Sequence, residues 1–461
     1  MCWNAKYAVL IFTSTIITYM SGLLLEKIKC TDLAEKNKIR YKKITVAGSL
    51  AANLAILFYF KYANFVFLSL AKAFSLLHIH LTVPVVDVML PVGISFYTFQ
   101  ALSYTMDVYR GEIYAEKNIF RYALFVSFFP QLVAGPIERS KNLLRQLSVP
   151  RSFDYDKARE GFLLMLWGFF LKVVLADRIA IFVDTVYGSH DYWNLGGWYL
   201  IVATVLFAVQ IYCDFAGYST IAMGTAKFFG IELMENFNAP YLSLSVGQFW
   251  RNWHISLTSW FRDYLYIPLG GSRKGKLRKY LNKMIVFLVS GLWHGADFSF
   301  VVWGGLNGFY QVMGEILEPL RKKTTSILHV NRQSFGNRLL RALFTFILVD
   351  FSWIFFRATD IHNAFSIIKS MIKVKNPEIL FDNSLYNCGL DNKNFNVMLL
   401  SIGILLFADI CKHRGIKLRA VILKQDYWCR WLFIAVVITL ILTFGMWGSQ
   451  FNETNFIYFQ F

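Results

Sequence analysis

The sequence predicts an all-α polytopic membrane protein, and three observations predict it. Only 16% of the 461 residues are charged and 56% are hydrophobic, where a soluble chain carries roughly 25% charged residues. Mean hydropathy is +0.44, carried by apolar runs long enough to cross a hydrocarbon layer of about 30 Å. Lys and Arg gather in short segments between those runs. The formal charge of +18 therefore reads as the positive-inside bias that sets topology. Nucleic-acid binding, the usual meaning of such a charge on a soluble chain, is not expected. Six scattered cysteines without a C-x-x-C spacing give neither a metal pattern nor a disulfide framework.

The first apolar run, Tyr7 to Leu25, ends in Glu26-Lys27 without a small-x-small cleavage site, so it reads as a retained helix. Glu26 to Lys43 holds seven Lys and Arg. It is expected as a cytoplasmic loop, which places the N-terminus outside. Ile44 to Tyr62 and Phe65 to Leu81 are apolar again. His78 and His80 form a lone H-x-H, better read as interfacial than as ligands. In Leu90 to Gly111, Pro91 and Gly93 break an incoming helix and polar residues follow; a cavity wall and interhelical hydrogen bonding both fit. Pro130, Gly135 and Pro136 make Arg121 to Arg139 a kinked or re-entrant segment, with Glu138 and Arg139 at a membrane edge.

Lys141 to Arg159 is basic and reads as a cytoplasmic, interfacial helix. Gly161 to Ala176 is expected to span, and Ile179 to Tyr187 is too short to span alone. Gly188 to Gly197 lacks Lys and Arg and should face outside. Trp198 to Phe229 is a span with a helical continuation, inside which Asp214 faces a cavity or pairs with a cation. Arg273 to Lys283 is basic and cytoplasmic; Met284 to Phe300 and Val301 to Leu317 are two passes or a hairpin, and Arg321 to Arg341 is basic again. Leu343 to Phe356 is a short span and Ile361 to Val374 is interfacial. Asn376 to Asn396 is external, Val397 to Cys411 spans inward, Lys412 to Arg430 is cytoplasmic, and Trp431 to Trp447 spans outward. The tail, Gly448 to Phe461, lacks Lys and Arg and ends outside. Roughly ten to twelve helices are expected to cross or enter the bilayer, in one domain spanning 1–461 in a cell membrane.

The chemistry centres on Trp250 to Leu306. His254 and His294 each follow a tryptophan, 40 residues apart, beside sequence apolar enough to enter lipid. An ionisable group at that depth costs a few kcal/mol, about 3 or more, so it is a functional hypothesis by default. On a continuous helix Trp250, His254 and Thr258 share one face, with Trp253 and Trp260 on another. Gly291-x-x-x-Gly295 and Gly304-x-x-x-Gly308 read as close helix packing, and Gly295 also leaves space beside His294. There is no H-E-x-x-H, G-x-S-x-G, Walker loop or dinucleotide fingerprint, so a metal or nucleotide enzyme is not supported. A neutral imidazole titrates near physiological pH and suits a general base that deprotonates a hydroxyl attacking an ester or thioester. A structural hydrogen bond between helices is the alternative.

These residues sit in longer motifs. W-R-N-W-H-I-S-L-T-S-W-F-R-D-Y-L-Y-I-P-L-G-G and S-G-L-W-H-G-A-D, with upstream L-P-V-G-I-S-F-Y-T-F-Q, P-Q-L-V-A-G-P-I-E-R and D-F-A-G-Y-S, closely resemble the membrane-bound O-acyltransferases. The resemblance covers nearly the whole chain. It is nearest the bacterial alginate and peptidoglycan O-acetyltransferase branch, with the teichoic acid D-alanyl transferases more distant. It implies a ring of membrane helices around a tunnel joining a cytoplasmic donor pocket to an outward acceptor pocket. His294 matches the histidine found across the family and His254 the second histidine of this branch. Trp250, Asn252, Trp293 and Asp214 become candidates to line the tunnel.

The resemblance further implies acetyl-CoA or another acyl thioester as donor substrate, with no bound cofactor. It also implies an extracytoplasmic polysaccharide acceptor and an extracytoplasmic esterase-like partner. The terminal F-I-Y-F-Q-F is similar to the end of a small separate protein of the teichoic acid system. By that resemblance Tyr458 is a candidate acyl relay. A phenol with a pKa of about 10 needs a base at hand, for which His294 is the choice; an aromatic interfacial anchor is the other reading. A lipid or saccharide transporter with a polar cavity and no acyl chemistry, or a scaffold for an envelope synthase, are the competing classes.

Overall fold

A computed structural model describes residues 6–79, 82–84, 91, 93–189, 192–448 and 457. Among the described residues every regular element is helical. Six helical runs of the described residues are long and apolar enough to cross a membrane: Tyr7–Cys30, Glu35–Ser75, Gly197–Phe228, Phe335–Arg357, Asn392–His413 and Tyr427–Phe444. This is the architecture of a multi-pass membrane protein, with fewer full-length apolar spans than the ten to twelve membrane helices expected. The difference arises because several expected spans are short, broken or charged at one end.

By their contacts the residues form two units, Met1–Ala158 with Thr225–Met234, and Arg159–Gly224 with Glu235–Phe461. In the first, α1 (Lys6–Cys30) packs on α2 (Glu35–Leu57) and α4 (Ile94–Arg110). The expected 26–43 loop shrinks to a few residues, because its basic residues lie on the ends of α1 and α2. Likewise the two expected runs at 44–62 and 65–81 are one helical run, Glu35–Ser75. No Pro or Gly interrupts Phe58–Tyr62, which passes as a π-turn into α3 (Ala63–Ser75), a local widening that helices tolerate.

α4 starts at Gly93, whose φ of 77° is left-handed; a Cβ there would also meet the Leu132 carbonyl at 2.5 Å. Its polar residues serve hydrogen bonds between segments: Gln100 Nε2 donates to Phe125 O at 2.6 Å, and Gln131 Nε2 donates to Gln100 Oε1 at 3.0 Å. α5 (Ile119–Val126) holds Tyr122, which donates to Thr18 Oγ1 at 2.7 Å. Before α6 (Ser140–Leu147), Glu138 and Arg139 are buried; Asn142 Nδ2 and the Met234 amide donate to the Glu138 carboxylate.

In the second unit α7 (Tyr155–Phe169) runs through a π segment, Phe170–Ala176, into α8 (Asp177–Tyr187). The short stretch at 179–187 is therefore the end of a long helix. After α9 (Tyr192–Leu195) comes α10 (Gly197–Phe228), the most buried of the six spans. Gly168 and Gly217 bring the α7 run against α10, since a Cβ on Gly168 would lie 2.7 Å from the Gly217 carbonyl. α11 (Val246–Asn252), α12 (Ile255–Phe261) and a hairpin of α13 (Lys276–His294) and α14 (Phe298–Ile316) follow. The two helices of the hairpin pack closely along their glycines. A Cβ on Gly291 would sit 2.2 Å from the Phe300 carbonyl, and one on Gly304 2.3 Å from that of Phe287. The small residues thus do what the G-x-x-x-G spacing implied. α15 (Glu318–Ile327), α16 (Phe335–Arg357), α17 (Ile361–Lys373), α18 (Asn392–His413), α19 (Leu418–Leu423) and α20 (Tyr427–Phe444) complete the unit.

Candidate active site

The site is built where α11 and α12 fail to join. Ser245 caps α11 by accepting the Gln248 amide, and the helix ends at Asn252. Trp253 is extended and His254 is left-handed at φ 43°, ψ 53°, before α12 begins. This overturns the single helix that would have put Trp250, His254 and Thr258 on one face. A left-handed non-glycine residue costs about 1–2 kcal/mol, so the surroundings must hold it. They do: the Asn238 amide donates to Asn252 O at 3.0 Å, the Ile255 amide to Asn236 O at 3.0 Å, and the Ser256 amide to Asn236 Oδ1 at 3.2 Å. Backbone groups that a continuous helix would pair internally are paired by the segment 235–238 instead.

His254 is 1% exposed. Its ring packs on Phe215 of α10 at 4.5 Å and on Trp293 at 6.1 Å, both edge-on. Ser256 Oγ lies 3.5 Å from its Nδ1. Burial lowers the His254 pKa below the ordinary imidazole value, so the ring is neutral at pH 7. His294 is the last residue of α13, where the chain turns at Gly295 toward α14. Its ring meets Trp293 at 4.9 Å, Trp303 of α14 at 5.0 Å and Phe356 of α16 at 5.3 Å. The indole of Trp293 thus touches both imidazoles. The space expected beside His294 at Gly295 is filled: a Cβ there would sit 2.1 Å from the Phe300 ring.

Trp250 joins the same cluster. It packs on Trp303 at 5.6 Å, and its indole N–H donates to Asn307 Oδ1 at 3.0 Å. Asn307 in turn donates to Trp303 O and to Ser352 Oγ, tying α11, α14 and α16 together. The structure therefore gathers His254, His294, Trp293 and Trp250. Asn252 donates to Ser243 Oγ at 3.1 Å. Asp214 is an ion-pair residue: Lys172 Nζ is 2.6 Å from its Oδ1 and 2.7 Å from Asp177 Oδ1. Its other oxygen accepts the Ile457 amide at 2.8 Å, so a buried carboxylate holds the chain close to its C-terminus. Tyr458 and His80 lie outside the described residues.

The residues that sequence reasoning missed are Asn236 and Asn307; Ser219 was visible only as the end of D-F-A-G-Y-S, and all three are buried. A buried amide in an apolar stretch, as in G-G-L-N-G, was the available signal for Asn307. Two surface cavities, of about 550 Å³ beside Arg332, Arg338 and Arg341 and about 450 Å³ beside Arg145, Arg151 and Lys157, include neither histidine.

What this arrangement offers chemically is a pair of buried imidazoles in an aromatic enclosure, suited to proton transfer away from bulk water. The sequence profile of the membrane-bound O-acyltransferase family matches residues 1–347. The chain belongs to that family. A probable alginate O-acetylase of Pseudomonas putida is 34% identical over the whole of this chain and 91% of its own length. A peptidoglycan O-acetyltransferase of Helicobacter pylori is 32% identical over 80% of this chain and 71% of its own. A teichoic acid D-alanyltransferase of Bacillus subtilis is 27% identical over 59% and 69%. As a membrane-bound O-acyltransferase the protein is an acyltransferase enzyme, and the His254–Trp293–His294 cluster is the candidate centre of its chemistry.

Proposed function

We propose that this enzyme carries acetyl groups from a cytoplasmic thioester, acetyl-CoA, toward hydroxyls of an extracytoplasmic cell-envelope or secreted polysaccharide. The observation that carries this reading is the pair of buried imidazoles joined by one indole, in a chain whose relatives include a probable alginate O-acetylase and a peptidoglycan O-acetyltransferase. In the reaction a hydroxyl oxygen attacks the thioester carbonyl. His294 takes the hydroxyl proton, the C–S bond breaks, and the imidazolium returns that proton to the departing thiolate, leaving an ester and a thiol. His254, neutral and fixed against Trp293, bounds the same enclosure, with Trp250 as part of its wall.

The attacking oxygen is that of Tyr458 in a relay, or that of the acceptor itself. The relay reading is supported by the terminal F-I-Y-F-Q-F and by the Asp214 anchor at Ile457. An extracytoplasmic esterase-like partner then completes delivery to the polymer. The charge bias of the connecting segments supports both termini facing outward, with the short and broken helices entering the bilayer beside the six spans to ring a tunnel. The test is ester analysis of envelope and secreted polysaccharide from cells with the protein, without it, and with His294→Ala. Bound acetate should be lost in the second and third at equal abundance of the variant protein. Unchanged acetate in cells lacking the protein would end the reading.

A further inference from the structure

We propose that Asn236 is the positioning residue for His254, acting as a clamp across the α11–α12 break; the inference rests on the reading of His254 as part of the active site. Three groups of this short segment reach the chain on both sides of the histidine. Asn238 N–H takes the Asn252 carbonyl at the end of α11. The Asn236 carbonyl takes the first amide of α12, and the Asn236 side-chain oxygen takes the second. Amides in the first turn of a helix have no partner within it, so Asn236 supplies what α12 lacks. Between these contacts His254 has φ 43°, a left-handed conformation that is uncommon for a non-glycine residue.

The clamp is itself gripped from behind. Asn236 Nδ2 donates to Ser219 Oγ of α10 at 3.0 Å, which fixes the amide with its oxygen toward α12. Lys412 of α18 donates to the Phe237 carbonyl at 2.7 Å and pairs with Glu235 at 3.0 Å. The Phe237 ring packs on Phe215 and on Trp253, each at 5.1 Å. Phe215 is the ring that also touches His254. One turn of α10 thus references the histidine twice, through the Phe215 ring directly and through Ser219 by way of Asn236. A 1 Å error in the placement of a catalytic group can cost about a hundredfold in rate, which is why a backbone in an unfavoured conformation is fastened this heavily.

Two measurements on the full-length protein in vesicles test the clamp. Hydrogen exchange of the peptide covering 253–261 reads the amides of Ile255 and Ser256 directly. In Asn236→Ala the Ser256 amide, which loses its side-chain acceptor, should exchange at least tenfold faster, and the Ile255 amide, whose acceptor is the backbone carbonyl, by less, while α13 and α16 keep their protection. Ser219→Ala should have a smaller effect in the same peptide. Thiol release from acetyl-CoA should show a kcat at least tenfold lower with KM within about twofold, and adding Asn236→Ala to His254→Ala should cause no further loss. Wild-type protection of the Ser256 amide, or faster exchange spread evenly over the unit, overturns the proposal. If the wild-type protein releases no thiol, the donor assignment falls, and the exchange result still decides the clamp.

Discussion

His254 has the side chain expected for its chemistry and a backbone that no local pattern announced. The W-x-x-W-H spacing pointed to an imidazole at membrane depth, and that was legible because so few residues of the chain are ionisable. Its left-handed φ was not, because the groups that stabilise it come from Asn236 and Asn238, outside any window that helical periodicity surveys. Trp250 was singled out as a lining residue, and the structure adds a specific bond to Asn307. Replacing Trp250 with Phe keeps most of the packing and removes the N–H donor, leaving the buried Asn307 oxygen without that bond. The expected cost is about 1–3 kcal/mol, read as a lower unfolding midpoint of the purified protein. An unchanged midpoint would show that the bond carries no net stability.

At the scale of elements, the sequence marked segments well where Pro and Gly interrupt them and poorly where nothing does. The start of α4 at Gly93 and the α13–α14 hairpin were readable from breakers and small residues. The 41-residue run Glu35–Ser75 reads in the sequence as two apolar runs, 44–62 and 65–81, whereas a π-turn carries the helix through. The hairpin gives the sharpest prediction here. Gly291→Val pushes a side chain into the Phe300 backbone and should destabilise by about 3 kcal/mol, at the upper end of overpacking costs. Gly48→Ala, with nothing within 4 Å of its Cβ, should be neutral or stabilising by about 0.5–1 kcal/mol. Equal behaviour of the two variants in a denaturant-resistance assay would contradict the close packing of the hairpin.

Across the whole molecule, composition alone established a multi-pass membrane protein, and motifs in order pointed to the family that the sequence profile and the relatives then established. Less legible was how the centre is assembled. α10, α13, α14 and α16 each contribute one or two rings to the enclosure around the histidines, and such convergence is a property of tertiary packing rather than of any one segment. Asp214 shows the same limit: a polar residue in an apolar helix was visible, but its partners Lys172 and Ile457 lie 42 and 243 residues away in the chain.

The claim on which the account depends is that these buried imidazoles perform acyl transfer. Its most direct measurement is transfer of labelled acetyl from acetyl-CoA to envelope polysaccharide, in membranes of the source cells that retain the extracytoplasmic partner and bear wild-type protein or His294→Ala at matched amounts of folded enzyme. The account predicts label in the polymer with the wild type and a loss of at least about a hundredfold in the variant, the range expected for removing a general base. Wild-type transfer by His294→Ala would contradict it.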